Sequence, residues 1–428
     1  IKTLPYEGTD TEFLGYIDTQ SSSKIVAMFK DSNELKELKE GDEAILILDK
    51  SPFYAESGGQ VGDSGYIKTK DAKFHVQDTL KIKKNVFGHI GVLESGSLKC
   101  NEQVEALIDE HRRNDIKRNH SVTHLLHKAL KIILGDHVEQ KGSLVDNLKT
   151  RFDFSHTKPI SNDEIQQIES IVNNEILTNK VTTTEMMSID KAKESGALML
   201  FGEKYDSEVR VLNIGNSIEL CGGTHVSNTG DIGLFKIYAE TGVASGVRRI
   251  EGVTGLNLIK FLNDQEEILT KVSKDLNTKP SEIPTKVSSL LSQLKENEKK
   301  QNQLKSELAL NQTDEMLSKT SKINNFEYLS QVIDNQGPNE LRDMIDKLKL
   351  KLKTAVIILA SVKDSNVTFA VGVTDNLTDK IDAGSIAKTL GEKVGGKGGG
   401  RKNMAMAGGT NTKLVQEAFK LVQTNLSS

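Results

Sequence analysis

Tryptophan is absent from this chain, and among its 428 residues only two are cysteine and six are proline. Two thiols close one bridge at most, which excludes a disulfide framework and points to a reducing compartment such as the cytoplasm. Long apolar runs are missing too: the longest, AVIILASV at 355–362, is far too short to cross a bilayer, so no membrane partner is expected. There is no excess of basic charge. A formal net charge of −4 excludes a protein that coats nucleic acid indiscriminately, and any such binding must come from local patches. No signal-peptide pattern opens the sequence, which begins at Ile1 in mid-phrase, as a fragment of something longer would. The length suits two to four domains.

What is present is a small number of well-spaced metal-type ligands. His120 and His124 in RNHSVTHLLHKAL lie four residues apart, so on a helix both imidazoles project from one face. Cys221 and His225 in ELCGGTHVSN are separated by a Gly-Gly that lets a tight turn bring thiolate and imidazole together. The two pairs supply four ligands of the mixed nitrogen and sulfur kind that suits zinc. A zinc peptidase is excluded by one residue, because its motif needs Glu directly after the first His and that position is Ser121.

The hydrophobic period changes four times along the chain. Residues 1–108 read as short strands (FLGYI, KIVAMF, EAILIL, GYIKT, KFHVQDTL, HIGVL, QVEALI) punctuated by Gly, Asp and Ser, which predicts a small β-barrel or sandwich. From Asp109 to Leu134 the pattern is helical, and Gly135 ends it. Strands and a helix opening near Ser161 then alternate to 255, which predicts an α+β domain over 109–255. Residues 256–322 carry two leucine rows parted by Pro280 and Pro284, the pattern of an antiparallel helical hairpin. Residues 323–428 alternate helix and strand as a compact α/β module. Inside it, VGGKGGGRKNMAMAGGT reads as a glycine-rich loop in which Lys397 and Arg401 could stand beside phosphate, or as a plain hinge.

HSVTHLLH followed by CGGTH resembles the editing domain of alanyl-tRNA synthetases. SPFYAESGGQVGDSG at 51–65, VEQKGSLV at 138–145 and VASGVRRIEGVTG at 243–255 extend the resemblance, which covers the chain from near residue 1 to its end. The last module is similar to the terminal domain of that family, although Lys402 and Asn403 replace its common Pro and Asp. The resemblance implies a zinc ion held by His120, His124, Cys221 and His225, tRNA(Ala) as partner, and self-association through the terminal domain. It places ATP and Mg2+ only in an aminoacylation part outside these residues.

The implied reaction is hydrolysis of the ester in mischarged Ser-tRNA(Ala) and Gly-tRNA(Ala). A synthetic pocket sized for alanine rejects serine poorly, so translation needs a second, hydrolytic site. Gln140 and Thr123 are the candidates for recognising serine or placing water, with His127 and Glu139 as candidate bases. Arg112, Arg113, Lys117 and Arg118, just ahead of the His pair, are candidates for holding the acceptor end, with Lys81, Lys83, Lys84 and the lysines at 347, 349, 351 and 353 as further options. Two alternatives remain open at this point: a freestanding editing factor, and a non-catalytic zinc-stabilised tRNA-binding module.

Overall fold

A computed structural model describes residues 4–199 and 205–428. They form two compact units, 1–272 and 273–428. Among the described residues, no helix is long and apolar enough to span a membrane.

Six strands near the N-terminus close into the expected barrel. They are β1 (Gln20–Lys30), β2 (Glu43–Leu48), β3 (Gly65–Lys68), β4 (Lys73–Lys83), β5 (Val86–Ser95) and β6 (Gln103–Ile108). Every pairing is antiparallel, in the order β1, β2, β5, β4, β3, β6, and β6 returns to β1 with Val104 opposite Ser23. Closure removes the edges that an open sheet would expose. Alternate residues point inward, so Ile25, Leu46, Ile67, Phe74, Val76 and Val104 fill the interior. Each such side chain contributes roughly 1.5–3 kcal/mol when fully buried.

Helix α1 (Glu110–Leu134) follows at once. Asp109 caps it by accepting from the Arg112 N–H, and Gly135 ends it with φ 118°. It lies with α2 (Asn162–Leu177) on a four-stranded antiparallel sheet built from β7 (Gln140–Val145), β8 (Thr150–Ser155), β12 (Phe235–Ala244) and β13 (Val247–Thr254). Ser161 and Glu164 form a capping box at the start of α2, where the sequence places a helix opening. A three-stranded sheet, β9 (Thr183–Ser188), β10 (Glu208–Ile214) and β11 (Ser217–Leu220), with the short helix α3 (Ile189–Glu194), completes this α+β layer. The barrel and the layer, read in the sequence as 1–108 and 109–255, belong to one compact unit.

The leucine-rich region forms α4 (Gly255–Asp275) and α5 (Ile283–Leu317), with a one-turn helix at Pro280 between them. Leu262, Leu269, Leu290, Leu294 and Leu304 are exposed. The C-terminal module is a six-stranded sheet in the order β14 (Ser321–Ile323), β15 (Phe326–Val332), β16 (Ala355–Lys363), β17 (Asn366–Val373), β19 (Met404–Gly409), β18 (Lys397–Arg401). Only the β15–β16 pair in it is parallel. AVIILASV is buried on both faces: Ile357 and Leu359 pack toward α6 (Pro338–Lys351), Val356 and Ile358 toward α7 (Ala383–Lys393) and α8 (Val415–Ser427). That explains an apolar run without alternation.

The glycine-rich segment is a correction. Residues 397–401 of it are the edge strand β18 and not a loop, and Gly396, Gly398 and Gly400 serve close packing. A Cβ at Gly396 would lie 1.8 Å from the Gly408 carbonyl oxygen, and one at Gly398 would lie 2.1 Å from the Ala387 carbonyl oxygen of α7. Lys397 and Arg401 are exposed on this edge.

Candidate metal and hydrolytic site

The 51–65 segment leaves the barrel and pairs its backbone with the end of β7, through the Val61 N–H to the Val145 carbonyl and the Val145 N–H to the Gly59 carbonyl. Gln60 and Asp63 are thereby delivered, buried, against α1. From the opposite side β11 ends at Leu220, and the CGGTH turn follows. Arg210 secures that turn: its Nη1 donates to the carbonyls of Cys221 and Gly223, both at 2.9 Å, and its guanidinium stacks on Tyr16, whose hydroxyl donates to the Gly222 carbonyl at 2.6 Å.

This arrangement gathers the two predicted half-sites, with His120 and Cys221 101 residues apart in sequence. The ligand atoms of His120, His124, Cys221 and His225 all lie within 4.8 Å of one another. Cys221 Sγ is 3.5 Å from His120 Nε2 and 3.2 Å from His225 Nε2. Each histidine has its other nitrogen occupied. His120 Nδ1 meets Gln60 Oε1 at 2.8 Å, His225 Nδ1 meets Ser121 Oγ at 3.3 Å, and His124 Nδ1 meets Glu219 Oε2 at 2.5 Å. Because Gln60 Oε1 and the Glu219 carboxylate can only accept, Nδ1 carries a proton in His120 and His124, and Nε2 is the ring nitrogen left for a metal. Outer-sphere acceptors of this kind orient metal-binding imidazoles.

The donor set fits a zinc ion by chemistry and by one specific defect. His124 Nε2 is buried with no hydrogen-bond partner, which is costly unless something else takes the lone pair. Protonation follows the same logic. Burial raises the Cys221 thiol, but the imidazoles of His120, His225 and His124 outweigh it and pull the thiol well below its ordinary range. Burial pushes His225 down to about 3, leaving it neutral as a ligand must be. For Glu219, burial works against the charge, and His124 and His127 overcome it and hold the carboxyl low. His124 is the counterpart, disfavoured as a cation by burial yet raised by Glu219 and Cys221.

Beside the ligands opens a cavity of about 440 Å3, lined by Tyr16, Tyr54, Lys81, Thr123, His127, Gln140, Ser143, Glu219 and the four-residue cluster through His120, His124 and Cys221. Gln140 is half-buried there, with Nε2 3.4 Å from Ser143 Oγ. Thr123 also lines it, but its hydroxyl is already engaged by the Asn119 carbonyl at 2.7 Å and Thr150 Oγ1 at 2.6 Å. His127 Nδ1 lies 3.0 Å from Glu219 Oε1. Glu139 does not line the cavity. It is exposed and pairs with Lys141 at 3.2 Å.

The basic run divides. Arg113 is 1 % exposed, and its guanidinium is taken by Asp63 and by the carbonyls of Gly15 at 2.6 Å and Pro52 at 2.8 Å, so it is structural and not a phosphate contact. Arg112 Nη1 donates to the Gly62 carbonyl at 2.7 Å, and Arg118 binds Asp115 at 2.7 Å and the Asp231 carbonyl at 3.1 Å. Lys117 is half-buried and its pKa is lowered by that burial. Lys81, by contrast, stands at the cavity with its Nζ 3.0 Å from Ser57 Oγ.

Two functional residues escape the sequence reading: Glu219 and Gln60. A signal for Glu219 exists, since it stands near the end of β11, two residues before Cys221. Gln60 lies in the 51–65 segment that carries the resemblance, but its spacing gives no sign of its role, because its partner is 60 residues away.

Three family models match the chain: class II (A) tRNA synthetases over residues 2–112, the second additional domain of threonyl and alanyl tRNA synthetases over 209–251, and the DHHA1 domain over 325–428. The alanine–tRNA ligase of Aromatoleum aromaticum is 49% identical over 420 residues, which is 98% of this chain and 48% of that protein. That of Albidiferax ferrireducens is 48% identical over 427 residues, 100% of this chain and 49% of that protein. Among solved structures, the C-Ala domain of Aquifex aeolicus alanyl-tRNA synthetase is 31% identical, covering 26% of this chain and 98% of its own, with a TM-score of 0.25. The chain spans about half the length of the curated relatives it matches. Carrying their sequence along nearly its whole extent, and the second additional domain where Cys221 and His225 complete the metal cluster, it belongs to the alanyl-tRNA synthetase family.

Proposed function

We propose that this chain is the editing and tRNA-binding part of an alanine–tRNA ligase, hydrolysing Ser-tRNA(Ala) and Gly-tRNA(Ala) at a zinc site and binding tRNA(Ala). The observation that carries the reading is the convergence of three imidazoles and one thiol beside a cavity large enough for an aminoacyl ester. His120, His124, Cys221 and His225 hold the ion, which supplies Lewis acidity or a fixed point for orienting substrate. Gln60, Glu219 and Ser121 fix the ligand rings. Gln140, with an amide free to donate and accept, orients the substrate or its water, and Thr123 holds the wall beside it through Asn119 and Thr150. Lys81 is the cation best placed for the acceptor-end phosphates, with Arg112, Lys117 and Arg118 flanking α1. Lys397 and Arg401 on the C-terminal edge strand contribute to holding tRNA elsewhere. ATP-dependent alanine ligation belongs to the whole ligase.

The deciding experiment charges tRNA(Ala) with serine or alanine and follows ester loss on the zinc-loaded protein. Ser-tRNA(Ala) is hydrolysed and Ala-tRNA(Ala) spared. Equal cleavage of both, or of neither with zinc bound, overturns the assignment.

A non-catalytic reading has one observation in its favour: four protein ligands suffice to close a tetrahedral shell. On that reading Cys221→Ala unfolds the domain. On the enzymatic reading it abolishes deacylation while the fold is largely kept.

A further inference from the structure

The ligand set and the two candidate recognition residues leave one group in the cavity wall without a task. His127 is 5 % exposed, lines the cavity and binds no neighbour through Nε2. Its Nδ1 faces Glu219 Oε1 at 3.0 Å, the second oxygen of the carboxylate that holds His124. An ionised carboxylate only accepts, so it fixes the proton on Nδ1 and leaves Nε2 of His127 as a bare acceptor. The ring lies against Phe152, with centroids 5.2 Å apart, which holds it in an apolar setting. Of the buried polar atoms without a partner among the described residues, only those of His124 and His127 belong to side chains lining this cavity. His124 would give its Nε2 to the metal. His127 would not.

We infer that His127 is the residue that selects serine over alanine, accepting a hydrogen bond from the serine hydroxyl of the misacylated ester. The inference rests on the editing role proposed above and deepens it. A buried acceptor that no side chain satisfies is stabilised by a substrate that brings a hydroxyl donor, and stays unsatisfied with one that brings a methyl group. Alanine falls in the second class. The sequence offers Gln140 and Thr123 for this role or for placing water; the hydroxyl of Thr123 is committed to Asn119 and Thr150. Glu219 acts through His127 and is a positioning residue, accepting from Nδ1 and so fixing the tautomer and the orientation of the ring.

The test varies the substrate before the protein. 2-Aminobutyrate replaces the serine hydroxyl by a methyl at nearly constant size, so tRNA(Ala) carrying each is offered to the unmodified, zinc-loaded chain. A preference for serine on the order of 10-fold to 100-fold in kcat/KM is expected from one buried hydrogen bond. His127→Leu removes the acceptor and keeps an apolar filling against Phe152, and His127→Gln restores an acceptor. The serine preference collapses in the first and is partly regained in the second, with zinc content unchanged in both. A ratio near one in the unmodified protein overturns the inference while leaving editing intact, since Ser-tRNA(Ala) is still cleaved. So does a His127→Leu protein that loses both substrates equally, the mark of a structural role. If that variant does not fold, the unmodified protein's ratio and His127→Gln decide alone. No cleavage of Ser-tRNA(Ala) by the unmodified protein counts against the editing role itself.

Discussion

Gln60 of the barrel unit's 51–65 segment accepts a hydrogen bond from Nδ1 of His120 at 2.8 Å, and the same amide binds Thr224 twice, from its backbone N–H at 3.0 Å and to its hydroxyl at 2.9 Å. One buried side chain thus ties both halves of the ligand set together. Gln60→Leu removes the acceptor and the brace together. Zinc affinity falls by ~10-fold to 100-fold, as for other outer-sphere partners, measured by chelator competition. An unchanged affinity would show that His120 is oriented by the helix alone.

A second prediction concerns Gly223. A Cβ built there would lie 2.1 Å from His120 Cε1 and 2.9 Å from Gln60 Oε1, so the turn needs a residue with no side chain. Gly223→Ala forces His120 off its position. Zinc content after dialysis falls below one ion per chain, whereas Gly222→Ala, with only the Tyr16 hydroxyl at 3.9 Å, retains it.

The ligands themselves were legible because their geometry is local: four residues on a helix, four around a turn. The segments that support them are long-range. Glu219 reaches His124 across 95 residues and Gln60 reaches His120 across 60, and nothing in local spacing announces such pairs. The basic run misled for a different reason. A cluster of cations suggests a phosphate patch, but residues 113, 116, 120, 124 and 127 follow the three-and-four spacing of one helix face, so Arg113 turns inward with the histidines. The glycine-rich segment misled because glycine signals flexibility in sequence, whereas here it lets α7 and β19 approach β18 closely. The strands of the barrel and the buried run at 355–362 were readable because each keeps its hydrophobic pattern over several residues.

Arg113 carries the third prediction. Its ion pair with Asp63 is 1 % exposed on both sides. Removing one partner strands the other charge in the interior, so Arg113→Ala or Asp63→Ala costs about 3–5 kcal/mol. Denaturant unfolding followed by circular dichroism measures it. A loss below about 1 kcal/mol, the value of an exposed pair, would contradict the buried assignment.

The metal-free protein has a pH dependence whose sign follows from Glu219 and His124. Glu219 is depressed in the fold, so its contribution is present above its unfolded value of roughly 4.3 and is lost as pH falls toward its lowered value. His124 is raised, so its contribution is full below its unfolded value of roughly 6.5 and is lost as pH rises toward its higher value. For this pair, the contribution to melting temperature after chelation is greatest between about pH 4.3 and 6.5. Zinc displaces a proton from His124, so its affinity increases with pH across the same interval. Glu219→Gln removes the acid limb and weakens the His124 limb, which Cys221 still supports.

The last prediction separates the surface cations from the buried one. Lys397 and Arg401 are exposed on the edge strand, so replacing both with Glu leaves the melting temperature nearly unchanged. If they touch tRNA phosphates, affinity falls, and the slope of log K against log salt is reduced by roughly 0.7–0.9 for each phosphate that is no longer neutralised. Arg113→Ala should do the reverse, lowering stability without a comparable change in salt slope for the protein that remains folded. Filter binding of tRNA(Ala) over a salt series, paired with thermal melts of the same samples, reads both quantities. A double charge reversal that leaves affinity and slope untouched would remove β18 from the tRNA-binding surface and leave Gly398 and Gly400 with packing as their role.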